Sequence, residues 1–214
     1  GVVVLPGLPG TPMRTALTAH PARLPDPAAL DALLDRLPVV PARARRTAPG
    51  APLPPLRGHA RVLGMLRPSL VPRLDRLTAA VGAAAGEHPL VPAHGDFYEA
   101  QLLVDAGAVV GLLDVDTAGP GARIDDWATL LGHLVLLERL RDDPAPIAAY
   151  RQRVTGLLAG RWPDGQLEAR VAGVLVGLAT GPFRVQQPDW AAATEARLTL
   201  AEEWAGSRAV SPAR

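Results

Sequence analysis

The run His94-Gly95-Asp96-Phe97-Tyr98-Glu99-Ala100-Gln101 places a carboxylate five residues before an amide, and Asp114 follows thirteen residues later. This is the spacing of a phosphoryl-transfer site. One carboxylate can take the proton of a substrate hydroxyl. The amide and the second carboxylate can hold magnesium on nucleotide phosphates.

Each residue has a plainer reading beside this one. Gly95 lets the loop turn tightly, so Asp96 is either an aimed general base or a turn-forming Asp. Gln101 offers a hard oxygen suited to magnesium, or is an edge-strand amide. Asp114 ends the apolar run Val109–Leu113, where a carboxylate must be solvated, hydrogen-bonded or bound to a cation. Asp116 lies two residues on. Asp116, Tyr98 and Glu99 are candidates for contact with substrate or a second metal. His94 reads as structural support. Asp126, before Trp127-Ala128, reads as a helix N-terminal charge or as a brace for the motif loop. The remaining histidines, His20, His59, His88 and His133, lack metal-ligand spacing.

Composition narrows the classes. The 214 residues are 48% hydrophobic and 20% charged, which suits a globular chain with a real core. A net charge of +1 gives no general reason to expect nucleic acid. The basic cluster Arg43, Arg45 and Arg46 makes a nucleic-acid binder a third-place reading, weakened by aromatics of only 4%. There is no Cys, so disulfides and thiolate metal sites are excluded and an intracellular location is permitted without being proved; the cytoplasm is the expected compartment. No apolar run is long enough for a membrane span. There is also no Lys and no Asn, so every basic side chain is Arg or His and every side-chain amide is Gln.

The elements that must position these groups are mostly helical. Val2–Leu5 reads as a strand ending in the turn Pro6–Gly10. Helices are expected near Thr11–His20 and from Asp26, as N-cap with Pro27 first, to about Leu37. Residues 38–55 read as a proline-rich loop. Helices follow near Leu56–Leu66 and Ser69–Ala85, the latter with Leu70, Leu74, Leu77 and Val81 on one face. Pro89–Pro92 leads into the motif loop. Gln101–Val104 and Val109–Leu113 form a hairpin around Asp105-Ala106-Gly107, and Thr117–Gly121 reads as a loop. A long apolar helix starts near Asp125 or Asp126 and runs to about Arg141. Others are expected near Pro146–Arg161, Asp164–Thr180 and Asp189–Ala205.

With these parts in order, the sequence resembles the aminoglycoside phosphotransferase family, a branch of the protein-kinase-like fold. The matching residues are His94-Gly95-Asp96, Gln101–Asp105, Gly111–Asp114, Gly119-Pro120-Gly121 and Asp126-Trp127-Ala128. The resemblance implies a mainly α (α+β) fold: a kinase-like C-lobe whose central β-hairpin carries the catalytic loop and the metal Asp. It implies Asp96 as catalytic base, Gln101 and Asp114 as Mg2+ ligands, and His94, Gly95 and Asp126 as structural support. ATP or GTP would touch the hinge backbone at Leu5, Gly7 and Leu8. The partner would be a small-molecule substrate, with no nucleic acid and no membrane. Residues 1–10 would be the hinge strand and linker, 11–205 the helical C-lobe, and 206–214 a disordered tail.

Two departures stand out. Gln101 replaces the Asn usual in the family, and Tyr98 stands where His is frequent. Neither a glycine-rich phosphate loop nor a strand Lys is present, so the nucleotide lobe is expected to be missing and the chain to be a fragment with little activity of its own. The expected function is ATP-dependent phosphorylation of a small-molecule hydroxyl. The alternative is an inactive, pseudokinase-like binding or scaffold module.

Overall fold

The computed structural model describes residues 7–39 and 53–206. The expected strand Val2–Leu5, the arginines of 43–46 and the tail 207–214 lie outside these residues.

In chain order the elements are β1 (Thr11–Pro12), α1 (Met13–Ala19), α2 (Pro27–Asp35), α3 (Leu53–Leu66), α4 (Val71–Ala84), β2 (Leu90–Ala93), β3 (Leu102–Asp105), β4 (Ala108–Leu112), β5 (Gly119–Ala122), α5 (Arg123–Arg139), α6 (Ala145–Leu158), α7 (Gln166–Leu178), α8 (Gly181–Arg184) and α9 (Trp190–Gly206). The molecule is mainly helical, as expected, with two small antiparallel sheets among the described residues.

Local chemistry explains most boundaries. Asp26 caps α2, its carboxylate accepting the Ala28 N–H at 2.9 Å, and Pro27 follows at the first helical position. The helix stops at Asp35 rather than Leu37. α3 begins at Leu53, inside the expected loop. Prolines in a first turn lack only N–H groups that have no helical partner there. Leu70, Leu74, Leu77 and Val81 are all buried, as their spacing requires.

β3 and β4 form the expected hairpin. Ala106 and Gly107 have φ of 46° and 81°, the paired left-handed conformation that matches strand twist in a two-residue turn. β1 adds to the other edge of β3, with Thr11 opposite Val104. Gly10 makes this docking possible: its φ is +102°, and a Cβ there would lie 2.5 Å from Val110 Cγ2.

The second sheet is a correction to the sequence reading. Gly119–Gly121 is not loop but most of β5, paired to β2 from Leu90↔Ala122 to Ala93↔Gly119. Pro92 faces Pro120, tolerable because a two-stranded ribbon is all edge. Gly121 admits the close approach, since a Cβ there would sit 2.9 Å from Ala93 Cβ.

α5 runs through the centre, with Ile124, Trp127, Leu130, Leu131 and Leu134 fully buried. Such a helix is apolar around most of its circumference. Arg170, itself buried, ties three helices together. It donates from Nε to Ala85 O at 3.0 Å and from Nη2 to Gly86 O at 2.8 Å, and pairs with Asp125 of α5. The carbonyls of Ala85 and Gly86, just past the end of α4, are thereby satisfied.

Candidate active site

The motif loop lies between β2 and a 3₁₀ turn, Glu99–Gln101, that leads into β3. Gln101 therefore sits on a turn, not in the first hairpin strand. Residue types alternate in their burial. His94, Phe97 and Glu99 are fully buried, Gln101 nearly so, and Asp96 is half-buried. Phe97 packs edge-on to Trp127 of α5, ring centroids 6.2 Å apart. Burying such a ring stabilises the loop by about 2–3 kcal/mol. This anchor fixes the loop that carries Asp96 one residue earlier.

Asp126 braces the loop from beneath. Its Oδ2 accepts the His94 N–H at 2.9 Å and its Oδ1 the Gly95 N–H at 2.8 Å. Gly95 has a φ of 85°, which turns the second N–H toward the same carboxylate. Asp126 comes from the first turn of α5, and Arg123 lies 3.9 Å from it. Burial pushes the Asp126 carboxyl up, and the two N–H donors oppose that rise.

His94 joins the loop to the second carboxylate. The Asp96 N–H donates to His94 Nδ1 at 3.3 Å, so the ring proton is on Nε2, which donates to Leu113 O at 2.9 Å. Thr117, not singled out in the sequence, donates from Oγ1 to His94 O at 2.9 Å. Leu113 precedes Asp114, so the imidazole and hydroxyl hold the β4 exit against the motif loop.

Asp114 itself has φ 54° and ψ 50°. An Asp tolerates this left-handed conformation better than most residues, and strained backbone of this kind gathers at functional sites. Its Oδ2 accepts from Gln101 Nε2 at 3.1 Å. The sequence-predicted amide and second carboxylate are thus neighbours. Asp96 belongs to the same cluster. Burial raises its pKa, and the charges of Asp114 and, more weakly, Asp116 raise it further, while His94 and the Gln101 amide oppose them.

Gln101 and Asp114 suit a magnesium ion on chemical grounds. Both offer hard oxygens, provided the amide turns its oxygen toward the ion. Among the described residues no three His, Cys, Asp or Glu side chains gather into a metal cage. Magnesium is commonly held by one or two protein ligands plus substrate phosphates and water.

Other expected residues are placed differently. Gly7 and Leu8 are exposed, Leu8 at 51%, and Leu5 lies outside the described residues. Asp116 is exposed on the turn Val115–Thr117. Glu99, expected as a contact for substrate or a second metal, instead has its carboxylate wholly buried, where it accepts from Arg14 Nε at 2.7 Å. Tyr98 is half-buried and stacks on His133 of α5, ring centroids 4.0 Å apart. Arg14 and Thr117 escaped the sequence reading, because no local spacing links them to the motif; His133, set aside there for want of metal-ligand spacing, lies against Tyr98 and Glu99. Arg123, three residues before Asp126, was within reach of an i, i+3 argument.

The fold is similar to those of known proteins. The solved structure of a choline/ethanolamine kinase family protein from Mesorhizobium loti is similar with a TM-score of 0.60 at 16% identity. The alignment covers 91% of this chain and 65% of that one, so the chain spans less than two thirds of that relative. The GDP complex of aminoglycoside 2'-phosphotransferase-IIIa has a TM-score of 0.52 at 18% identity, covering 94% of this chain and 69% of that one. A glucosamine kinase has a TM-score of 0.51 at 21% identity, covering 89% of this chain and 54% of that one. At these identities the likeness is one of fold. No curated protein matches the chain. The family model described as the phosphotransferase enzyme family matches residues 1–167, which carry every group of the candidate site, and the chain belongs to that family.

Proposed function

We propose that the protein is a small-molecule phosphotransferase that uses a nucleoside triphosphate, ATP or GTP, to phosphorylate a hydroxyl group. The observation that carries the reading is the single cluster of Asp96, Gln101 and Asp114, on a loop held by Asp126. Family membership supports it. So does the nucleotide in a neighbour of similar fold, a GDP complex.

In this reading Asp96 accepts a hydrogen bond from the acceptor hydroxyl, orients its oxygen toward the γ-phosphorus and takes the proton as the new P–O bond forms. The bond from the γ-phosphorus to the bridging oxygen breaks, and the nucleoside diphosphate leaves. Gln101 and Asp114 would hold Mg2+, which supplies neutralisation of the charge on the phosphates. His94, Thr117 and Asp126 keep the three side chains in register. The backbone of Leu5, Gly7 and Leu8 is the candidate adenine or guanine contact. Pro6 has no N–H to give, so Gly7 or Leu8 would donate. Asp116 and Tyr98 flank Asp96 and are candidates for acceptor contacts.

The test uses the protein expressed from its complete reading frame, with nucleotide turnover measured against a panel of sugars, amino sugars and amino alcohols. Turnover that depends on one acceptor and is lost in Asp96→Asn supports the reading. Unchanged turnover in Asp96→Asn overturns the role given to Asp96. Calorimetry showing no Mg-nucleotide binding to a folded protein would favour a non-enzymatic binding module instead.

A further inference from the structure

We propose that Arg14 and Glu99 form a positioning pair that sets Gln101 beside Asp114, so that the grip on a magnesium–nucleotide depends on α1; the inference rests on the metal-ligand reading of Gln101 and Asp114 above.

Glu99 lies between Asp96 and Gln101, at the first position of the 3₁₀ turn Glu99–Gln101. Its side chain is fully buried, whereas Arg14 is 44% exposed. Two guanidinium nitrogens, Nε and Nη2, each approach Oε1 at 2.7 Å. A buried carboxylate is tolerated only beside such a partner, so the ion pair pins the turn to α1. The other oxygen, Oε2, is buried without a hydrogen bond and faces His133 Nδ1 at 4.0 Å. Arg14 also lies 5.8 Å from the Tyr98 ring centroid, and Tyr98 stacks on His133. The turn is therefore held on one side by α1 and on the other by α5.

Gln101 ends this turn. Its own backbone N–H donates to Tyr98 O at 3.0 Å, and its carbonyl accepts from Leu113 N at 2.8 Å. Tyr98 and Glu99 thus determine the direction in which the Gln101 side chain leaves the backbone toward Asp114. None of Arg14, Glu99 or His133 reaches the Gln101–Asp114 pair through a hydrogen bond or ion pair of its own. Their effect on it runs through the turn. Loss of Arg14 removes the cation that ties Glu99 to α1, which frees the turn Glu99–Gln101 to shift and to carry Gln101 with it.

The experiment compares wild type with Arg14→Ala, Glu99→Gln and the double variant in the protein from its complete reading frame. Mg2+ affinity in the presence of ADP is read by calorimetry, and circular dichroism checks folding. Arg73→Ala, which removes an ion pair with Glu202 on the far helices, controls for general destabilisation. Each single variant should weaken Mg2+ binding about tenfold, the lower range for losing a group that orients a metal ligand. The double should be little worse than the weaker single, and Arg73→Ala should bind as wild type. In turnover, half-saturating Mg2+ should rise while the acceptor KM changes less than about twofold. Unchanged Mg2+ affinity in both folded single variants overturns the inference and leaves the Gln101–Asp114 reading intact. An equal loss in Arg73→Ala, or a parallel rise in acceptor KM, overturns it as well. Absence of Mg2+ binding in wild type overturns both.

Discussion

Burial raises the pKa of Asp96, and the neighbouring Asp114 carboxylate raises it further. In the metal-free protein the Asp96 carboxyl should therefore titrate above the value of about 3.9 for a free aspartate, and it loses its charge, and with it the power to act as base, as pH falls through that raised value. An NMR titration of the carboxyl without Mg2+ checks this, and a midpoint at or below that value would contradict it. Mg2+ on Asp114 would cancel the part of the rise that Asp114 supplies. Asp96→Asn keeps the shape but cannot take the proton, and kcat should fall at least about a hundredfold with a smaller change in acceptor KM. Steady-state kinetics on the folded variant measure it. Asp126 acts differently. Asp126→Ala leaves the His94 and Gly95 N–H groups without their acceptor in a buried place, and should lower unfolding stability by about 2–4 kcal/mol in urea titration. These residues were legible from type and spacing, because a loop–hairpin–helix unit keeps its groups close in sequence. Arg14 was not. Its partner Glu99 is 85 residues away, and no periodicity on α1 announces it.

The helices meet where small residues allow it. A Cβ on Gly132 of α5 would lie 2.7 Å from Val174 Cγ1, on the facing side of α7. Val174 is stiff at χ1 and cannot swing aside freely. Gly132→Ala should therefore destabilise by about 1–3 kcal/mol, although alanine is the better helix former by about 1 kcal/mol. At Gly173 the nearest atom to an added Cβ is 3.7 Å away, ordinary contact. There Gly173→Ala should be neutral or stabilising by up to about 1 kcal/mol. Thermal or urea unfolding of the two variants side by side decides it, and equal shifts would refute the close α5–α7 contact. Helix faces such as Leu70, Leu74, Leu77 and Val81 were readable from spacing alone. The β2–β5 ribbon was not. Gly-Pro-Gly is turn chemistry by composition, and it becomes a strand only because Leu90–Ala93 lies alongside it.

Stability of the molecule should fall on mild acidification, in part through His133. Burial, aided by the Arg14 charge, lowers its pKa from 6.5 to about 4. The unfolded chain then takes the proton first, so the imidazole costs nothing well above 6.5 and destabilises as pH falls toward 4. Near pH ~5 the difference is roughly 2 kcal/mol. Glu99, whose carboxyl burial pushes up, works in the opposite sense. Denaturant unfolding at about pH 7.5 and about pH 5 should show a smaller loss in His133→Gln than in wild type. An identical loss would mean that the imidazole is not held neutral by the fold. Among the described residues no helix is long and apolar enough to cross a membrane.

The helical class, the hairpin and its turn, the α2 cap and the order of Asp96, Gln101, Asp114 and Asp126 were all present in the chain as a string. Each rests on near neighbours: a turn residue, a cap, an apolar spacing, a motif on one continuous unit. The packing of Asp126 under the loop, the burial of Glu99 against Arg14, the second sheet and the tolerance for an unhydrogen-bonded Glu99 oxygen arise from elements far apart in sequence. Their free energies depend on which surfaces lose water together, and that is set when the helices close around α5.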